Sequence, residues 1–362
     1  MKIILLDASA EHGIVNKDLA GGFGIRPRIG KSVGAKFLEV LRGQEDFPPM
    51  AFAYIAAILA GSANEVSYMK DEIPKEADLV IMLPSMSTYK IETKMMDKVK
   101  ANGIKVGVIG LLASHKPELF DGHADFVVVG EPESFFMKMK NIPKGIVKSE
   151  PTANLDEIPF PKWDIFDYKK FSFSPVMEEK PFGFMLSSRS CPYTCYYCPY
   201  RLSSPFRARS VKNVADEMEH LVNNYGVKAV MFRDALFTFD RKRTEELCAE
   251  IKKRKIKLKW VAETRLDLLD KELIDVLYDA GMRVLKVGVE SVDLKLLKDV
   301  RRKPIGIVHQ EEIIKYCDKK GIKVVAFYIV GLPNDKKENI LDTIKYAKKL
   351  NLKLKYNNFH LF

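Results

Sequence analysis

From residue 182 onward, short apolar runs alternate with helical patterns, and the alternation holds to the last residue. The apolar runs lie at 182–188, 229–232, 259–262, 283–289, 323–330 and 355–360, with helical stretches near 211–225, 241–253, 271–280, 307–320 and 336–350 between them. Continuous β-branched runs separated by helices predict a parallel sheet with helices packed on it. Strands joined by right-handed crossovers can curl into a partial (β/α)6 barrel of TIM type, whose active site lies at the strand carboxyl ends. The sequence stops on the sixth run, so neither a sixth helix nor a C-terminal extension is expected.

The first part of the chain alternates differently. Strands are expected at 2–6, 79–83, 105–109 and 126–129, and helices at 49–60 and 92–102. This predicts an α/β fold, with a doubly wound, Rossmann-like parallel sheet over residues 1–142. Its loops 7–24, 85–88, 110–114 and 130–133 belong on the carboxyl edge, where such sheets bind ligands. Residues 143–181 hold prolines at 143, 151, 159, 161, 175 and 181 and no clean period, which predicts a linker to the barrel at 182–362.

A length of 362 residues accommodates two such domains. Lys and Arg number 59 against 48 Asp and Glu, a net +11, but the basic residues are interleaved with acidic ones. That reads as a solvated surface, and nucleic acid is not an expected partner. The longest apolar stretch, 47–61, is shorter than the ~20 residues a bilayer crossing needs and opens on two prolines, so no membrane span is expected. The amino terminus turns polar too early for a signal peptide, and a cytoplasmic location follows. Five cysteines are too few for a disulfide framework, and three of them fall within eight residues, a clustering that means metal.

Those three are Cys191, Cys195 and Cys198, spaced Cys-x3-Cys-x2-Cys immediately after the first barrel strand. Three thiolates on a loop leaving a strand can wrap a 4Fe–4S cluster, which ordinarily takes four cysteines. Cys248 and Cys317 fall inside predicted helices and read as core thiols. A cluster held by three cysteines keeps one iron open to a small molecule. The alternative is a three-cysteine zinc site completed by histidine, and the nearest histidine is His220, on a helix.

The cysteine pattern at the end of the first barrel strand resembles the radical S-adenosylmethionine (SAM) superfamily. The flanking SSRSCPYTCYYC looks like its subgroup with an N-terminal cobalamin (B12)-binding domain. FPPMAFAYIAAIL (47–59), GEPE (130–133), IPFPKWDIFD (158–167), VGVES (287–291) and YIVGLP (328–333) occur in that family's order. The resemblance implies a 4Fe–4S cluster that chelates SAM and cleaves it reductively to a 5′-deoxyadenosyl radical, fed by an electron donor such as flavodoxin or ferredoxin. It further implies SAM contacts from Tyr197, Asp234, Glu263, Arg265, Glu290, Ser291 and Gly331, with Glu263 and Arg265 as a carboxylate–guanidinium pair for the methionyl end. The family's glycine before the first cysteine is Ser190 here, and its Gly-Glu-Thr after GLP is Asn334-Asp335-Lys336.

For cobalamin, the Asp-x-His-x-x-Gly fingerprint is absent, since His12 stands at the wrong spacing from Asp7. The resemblance instead implies cobalamin bound without a histidine ligand, contacted by Ser85, Ser87, Gly110, Gly130 and Glu131. The glycine-rich run 21–34 is no dinucleotide fingerprint. The commonest outcome in this subgroup is methyl transfer to an unactivated carbon of a small-molecule or lipid-like substrate. A radical cyclase or rearrangement enzyme and a non-catalytic Fe–S/cobalamin sensor are the alternatives. An RNA methylthiotransferase would need further N-terminal cysteines, and residues 1–190 contain none.

Overall fold

In the computed structural model, all residues are described except 10–12, 16, 18–24, 28–29, 31, 36–47, 203, 351–354 and 362. The chain divides into two compact units, Met1–Pro175 and Val176–Phe362.

In the first unit the expected strands form as β1 (Lys2–Asp7), β5 (Leu79–Met82), β6 (Lys105–Val108) and β7 (Phe126–Gly130). A short antiparallel ladder joins β2 (Gly13–Val15) and β3 (Ile25–Pro27). Two more strands complete the main sheet, β4 (Glu65–Lys70) and β8 (Gly145–Ser149), in the order β4-β1-β5-β6-β7-β8 with every pair parallel. The chain leaves β1 in one direction for β4 and returns on its other side for β5, so the topological switch point lies between the ends of β1 and β5. Residues 79–82 are wholly buried, as a strand covered on both faces requires. The helix Met50–Ala60 starts behind Pro49 and buries nine of its residues.

The two additional strands are the edges of this sheet, which explains why their sequence signal is weak. β8 is mostly exposed, and it falls where a linker is expected. Residues 143–175 therefore belong to the first unit. The IPFPKWDIFD stretch packs onto it: the Phe166 ring centroid lies 4.7 Å from that of Tyr68 and 6.2 Å from that of Trp163, and the Lys162 amide donates to the Ala53 carbonyl at 3.0 Å. Gly130 is fixed by this edge. A Cβ there would sit 2.0 Å from the Ser149 carbonyl oxygen, and its φ is +109°.

The second unit winds once. Its strands β9 (Phe182–Met185), β12 (Ala229–Phe232), β13 (Lys259–Thr264), β14 (Met282–Glu290), β15 (Lys323–Val330) and β16 (Lys355–Leu361) pair in sequence order, all parallel. That is the winding of a partial barrel. Between β9 and β12 runs a two-residue antiparallel pair, β10 (Ser188–Arg189) with β11 (Arg207–Ala208). The helices Val211–Tyr225, Arg241–Lys253 and Lys271–Asp279 start on Ser210, Asp240 and Asp270, whose side chains accept the amides of Asn213, Arg243 and Leu273 at 3.1, 3.0 and 2.8 Å. These caps sharpen each passage from strand end to helix, and so fix the loops at the carboxyl ends of the strands. Among the described residues no helix is long and apolar enough to cross a membrane.

Candidate active site

The thiol loop leaves β10 through Ser190, whose φ is +68°. This is the left-handed region that glycine adopts freely and serine does not. Asn334, after Leu332-Pro333, also has a φ of +68°. Both departures from the family's glycines therefore keep a glycine's backbone. If this strain is what Ser190 bears, Ser190→Val should lose about 1–3 kcal/mol in urea unfolding and Ser190→Gly less than about 1 kcal/mol. Equal losses from the two variants would remove strain as the reason.

Cys195 is buried and Cys191 and Cys198 are half-buried. The three thiols feel one another: Cys195 raises Cys191, and both raise Cys198. Burial is the largest cause at Cys191 and Cys198, and it brings Cys198 up to about 11. The amides of Tyr193 and Tyr200 hydrogen-bond the Cys191 and Cys198 sulfurs and pull the other way, as do Arg265 and Arg302 at Cys191. Such surroundings disfavour bare thiolates at Cys191 and Cys198 and favour thiolates neutralised by iron. Among the described residues no three His, Cys, Asp or Glu side chains are arranged to hold a single metal ion. A cube, which takes one thiolate at each of three corners, asks only that three thiols line one wall.

Behind the loop lies a buried polar network. The Tyr196 amide donates to the Val300 carbonyl at 2.9 Å, and Tyr197 packs on Leu296, Val300 and Leu332. Arg302 donates through Nη1 to the Tyr197 hydroxyl at 3.2 Å, through Nη2 to the Gly288 carbonyl, and stands 3.4 Å from Glu290 Oε1. Gly288 makes room for this pair, since a Cβ there would fall 2.1 Å from Glu290 Oε1. Burial raises the Glu290 carboxyl and Arg302 lowers it in part. Arg302 carried no sequence signal beyond its place in a basic run. Ser291 accepts the Asp293 amide at 3.1 Å and lies 3.4 Å from the Thr343 hydroxyl. Gly331 turns at φ +89° with its amide on Asp335 Oδ2 at 3.0 Å.

Other expected contacts are placed differently. Asp234 is 1% exposed, and it accepts the Ser187 amide at 2.9 Å, the Ser187 hydroxyl at 2.7 Å and the Ser188 hydroxyl at 2.5 Å. Its carboxylate is engaged by its own chain, where it positions the strand end that carries the thiol loop. Arg243 and Arg209 hold the same turn, donating to the Ser187 and Leu186 carbonyls at 2.9 and 2.6 Å. Glu263 and Arg265 do not pair. Glu263 meets Lys286 at 2.9 Å on the neighbouring strand, while Arg265, beyond the strand end, grips Asp267 at 2.8 and 3.1 Å and the Lys303 carbonyl at 3.0 Å. Arg265 Nη1 is buried with no hydrogen-bond partner, and its guanidinium lies 4.8 Å from the Tyr193 ring centroid.

At the switch point of the first unit, Lys17 is buried between two carboxylates, 2.6 Å from Asp7 Oδ1 and 2.6 Å from Glu92 Oε1. Glu92 also accepts the Ser85 amide at 3.1 Å and the Thr88 hydroxyl at 2.8 Å, and the Ser85 and Thr88 hydroxyls pair at 2.7 Å. Tyr68 donates to Asp7 Oδ2 at 3.1 Å. Ser85, fully buried and already bonded, is thus part of this lock. Ser87 is half-buried, and Gly110 opens the helix Leu111–His115 at φ +102°. Gly130 and Glu131 hold the β8 edge: the Gly130 amide donates to the Ser114 hydroxyl at 3.0 Å, and the Thr152 amide to Glu131 Oε2 at 3.3 Å. His12 lies outside the described residues, as do 21–24, 28, 29 and 31 of the glycine-rich run.

Residues 185–347 match the Radical SAM superfamily. The match lies wholly within the second unit. Over 346 residues it is 27% identical to an uncharacterized methyltransferase of Pyrococcus horikoshii, covering 84% of this chain and 74% of that protein. It is 33% identical over 193 residues to the anaerobic magnesium-protoporphyrin IX monomethyl ester cyclase of Cereibacter sphaeroides, covering 52% of this chain but only 31% of the cyclase. Among solved structures, the radical SAM methyltransferase TsrM of Kitasatospora setae, with tryptophan and a SAM analogue bound, superposes with a TM-score of 0.68 at 15% identity. That match covers 99% of this chain and 73% of TsrM, and it establishes a shared fold.

Proposed function

We propose that this chain is a cobalamin-dependent radical SAM methyltransferase acting on a carbon of a small-molecule substrate. The observation that carries the reading is three thiols gathered on one loop, Cys191 and Cys198 within electrostatic reach of the others, beside a buried arginine, Arg265, whose Nη1 has no hydrogen-bond partner. Cys191, Cys195 and Cys198 would hold the cluster. When bound, the cluster supplies the electron that cleaves SAM to a 5′-deoxyadenosyl radical. Arg265 offers a fixed donor to the methionyl carboxylate, a charge-assisted bond that orients the sulfonium. Arg302 and Glu290 hold Tyr197, and with it this part of the loop, in place.

For cobalamin, TsrM has also been solved with cobalamin and a [4Fe–4S] cluster, with a TM-score of 0.67 to this chain. In the first unit Ser87 and the Gly110 turn stand at the sheet edge that would receive it. Apart from His12, the edge loops 7–24, 85–88, 110–114 and 130–133 carry no histidine, which suits cobalamin without a protein imidazole. The cyclase relative favours a second reading, ring closure by the same radical with no methyl gained. Anaerobic reconstitution with iron, sulfide and cobalamin, then reduction with SAM, should yield 5′-deoxyadenosine. Its persistent absence would overturn both readings, and a product of unchanged carbon count would favour the cyclase.

A further inference from the structure

Each SAM cleavage consumes one electron from outside the chain, and one face of the second unit is built to receive its carrier. We infer that Tyr196, Leu294, Lys295, Lys298 and Arg301 form the docking surface for a small acidic electron-transfer protein. This rests on the proposed cluster at Cys191, Cys195 and Cys198.

Tyr196 follows Cys195 directly, yet it is 56% exposed while Cys195 is buried. Its amide is tied to the Val300 carbonyl, so the segment 294–302 lies directly against the thiol loop. The two sides of that segment differ. Leu296 and Val300 pack on Tyr197, and Arg302 bonds its hydroxyl, on the inner side. Leu294 is 46% exposed, and Lys295, Lys298 and Arg301 are exposed beside it. Lys295 and Lys298 stand three residues apart on the helix Leu294–Asp299 and so share a face. Among the described residues none of the three cations forms an ion pair, although lysines on neighbouring helices, such as Lys271, Lys315 and Lys320, do. Of the nearby acids, Asp293 is engaged in capping the helix, which leaves Asp299 as the counter-charge on this stretch.

An aromatic and a leucine rimmed by unpaired cations is the composition of a transient protein interface, with charge complementary to an acidic partner. The need for an electron at the thiols selects an electron carrier among acidic proteins. In the step itself one electron leaves the reduced donor and enters the cluster; the donor is oxidised by one electron, and no bond forms or breaks.

The test uses the full chain loaded with iron and sulfide, as wild type and as the triple variant K295E/K298E/R301E. Reduction is followed by stopped-flow absorbance with a reduced flavodoxin of strongly negative net charge, and separately with photoreduced 5-deazaflavin, a small uncharged reductant. For the wild type, the flavodoxin rate should fall steeply with added salt. In the variant it should drop about tenfold or more at low salt and lose most of that salt dependence. Iron content and the deazaflavin rate should be unchanged, which shows the variant to be folded and loaded. A flavodoxin rate and salt slope equal to the wild type's would overturn the inference alone, as would an equal loss with both reductants. A wild-type chain that takes up no iron would overturn the cluster reading, and the docking surface with it.

Discussion

Replacing Lys17 with methionine should destabilise the first unit by about 3–5 kcal/mol. The ammonium is buried between Asp7 and Glu92 at 2.6 Å from each, and methionine leaves two carboxylates enclosed at the switch point with no cation between them. Hydrogen exchange should report it where it arises: amides of β1 and β5 should lose about two to three orders of magnitude of protection, and those of β12 and β13 far less. Burial already holds the Glu92 carboxyl above its ordinary value, with Lys17 pulling it down. Removing Lys17 raises it further. A carboxyl raised in the folded chain binds its proton more tightly there, so folding gains stability as pH falls toward the carboxylate range. The variant's deficit should therefore shrink at acidic pH. Unchanged protection at neutral pH would show that the triad is not what closes this edge.

Replacing any one of Cys191, Cys195 or Cys198 with alanine should take reconstituted iron from about four per chain to below about one, because a cube deprived of a second corner is no longer held. Cys248→Ala and Cys317→Ala serve as controls. Both thiols are buried in helices, pushed up to about 12 chiefly by burial, and their charged neighbours are Glu245, Lys252 and Asp318. Iron content should be unaffected by either. Loss of iron in Cys248→Ala or Cys317→Ala would make it a fourth ligand and close the corner that SAM needs.

The winding of both units was legible because buried parallel strands announce themselves as β-branched runs, and each strand expected at the barrel formed. Edge strands announce less. β4 and β8 have one pairing neighbour and much exposed surface, so their sequences are free to be polar, and β8 could sit unnoticed among prolines. The same reason hid what holds GEPE in place: Gly130 and Glu131 answer to a strand that the local pattern does not reveal.

The cysteine spacing alone determined the chemistry this chain can hold, because three thiolates on one short loop constrain a metal centre without any help from distant residues. The charged residues were another matter. That Glu263 and Arg265 are two apart says nothing of Lys286 or Asp267, and that Asp234 ends a strand says nothing of Ser187 and Ser188, which consume it. An ion's partner is set by which side chains the fold brings within a few ångströms, often across more than forty residues of chain, and Lys17, Arg302 and Asp234 acquire their roles only there.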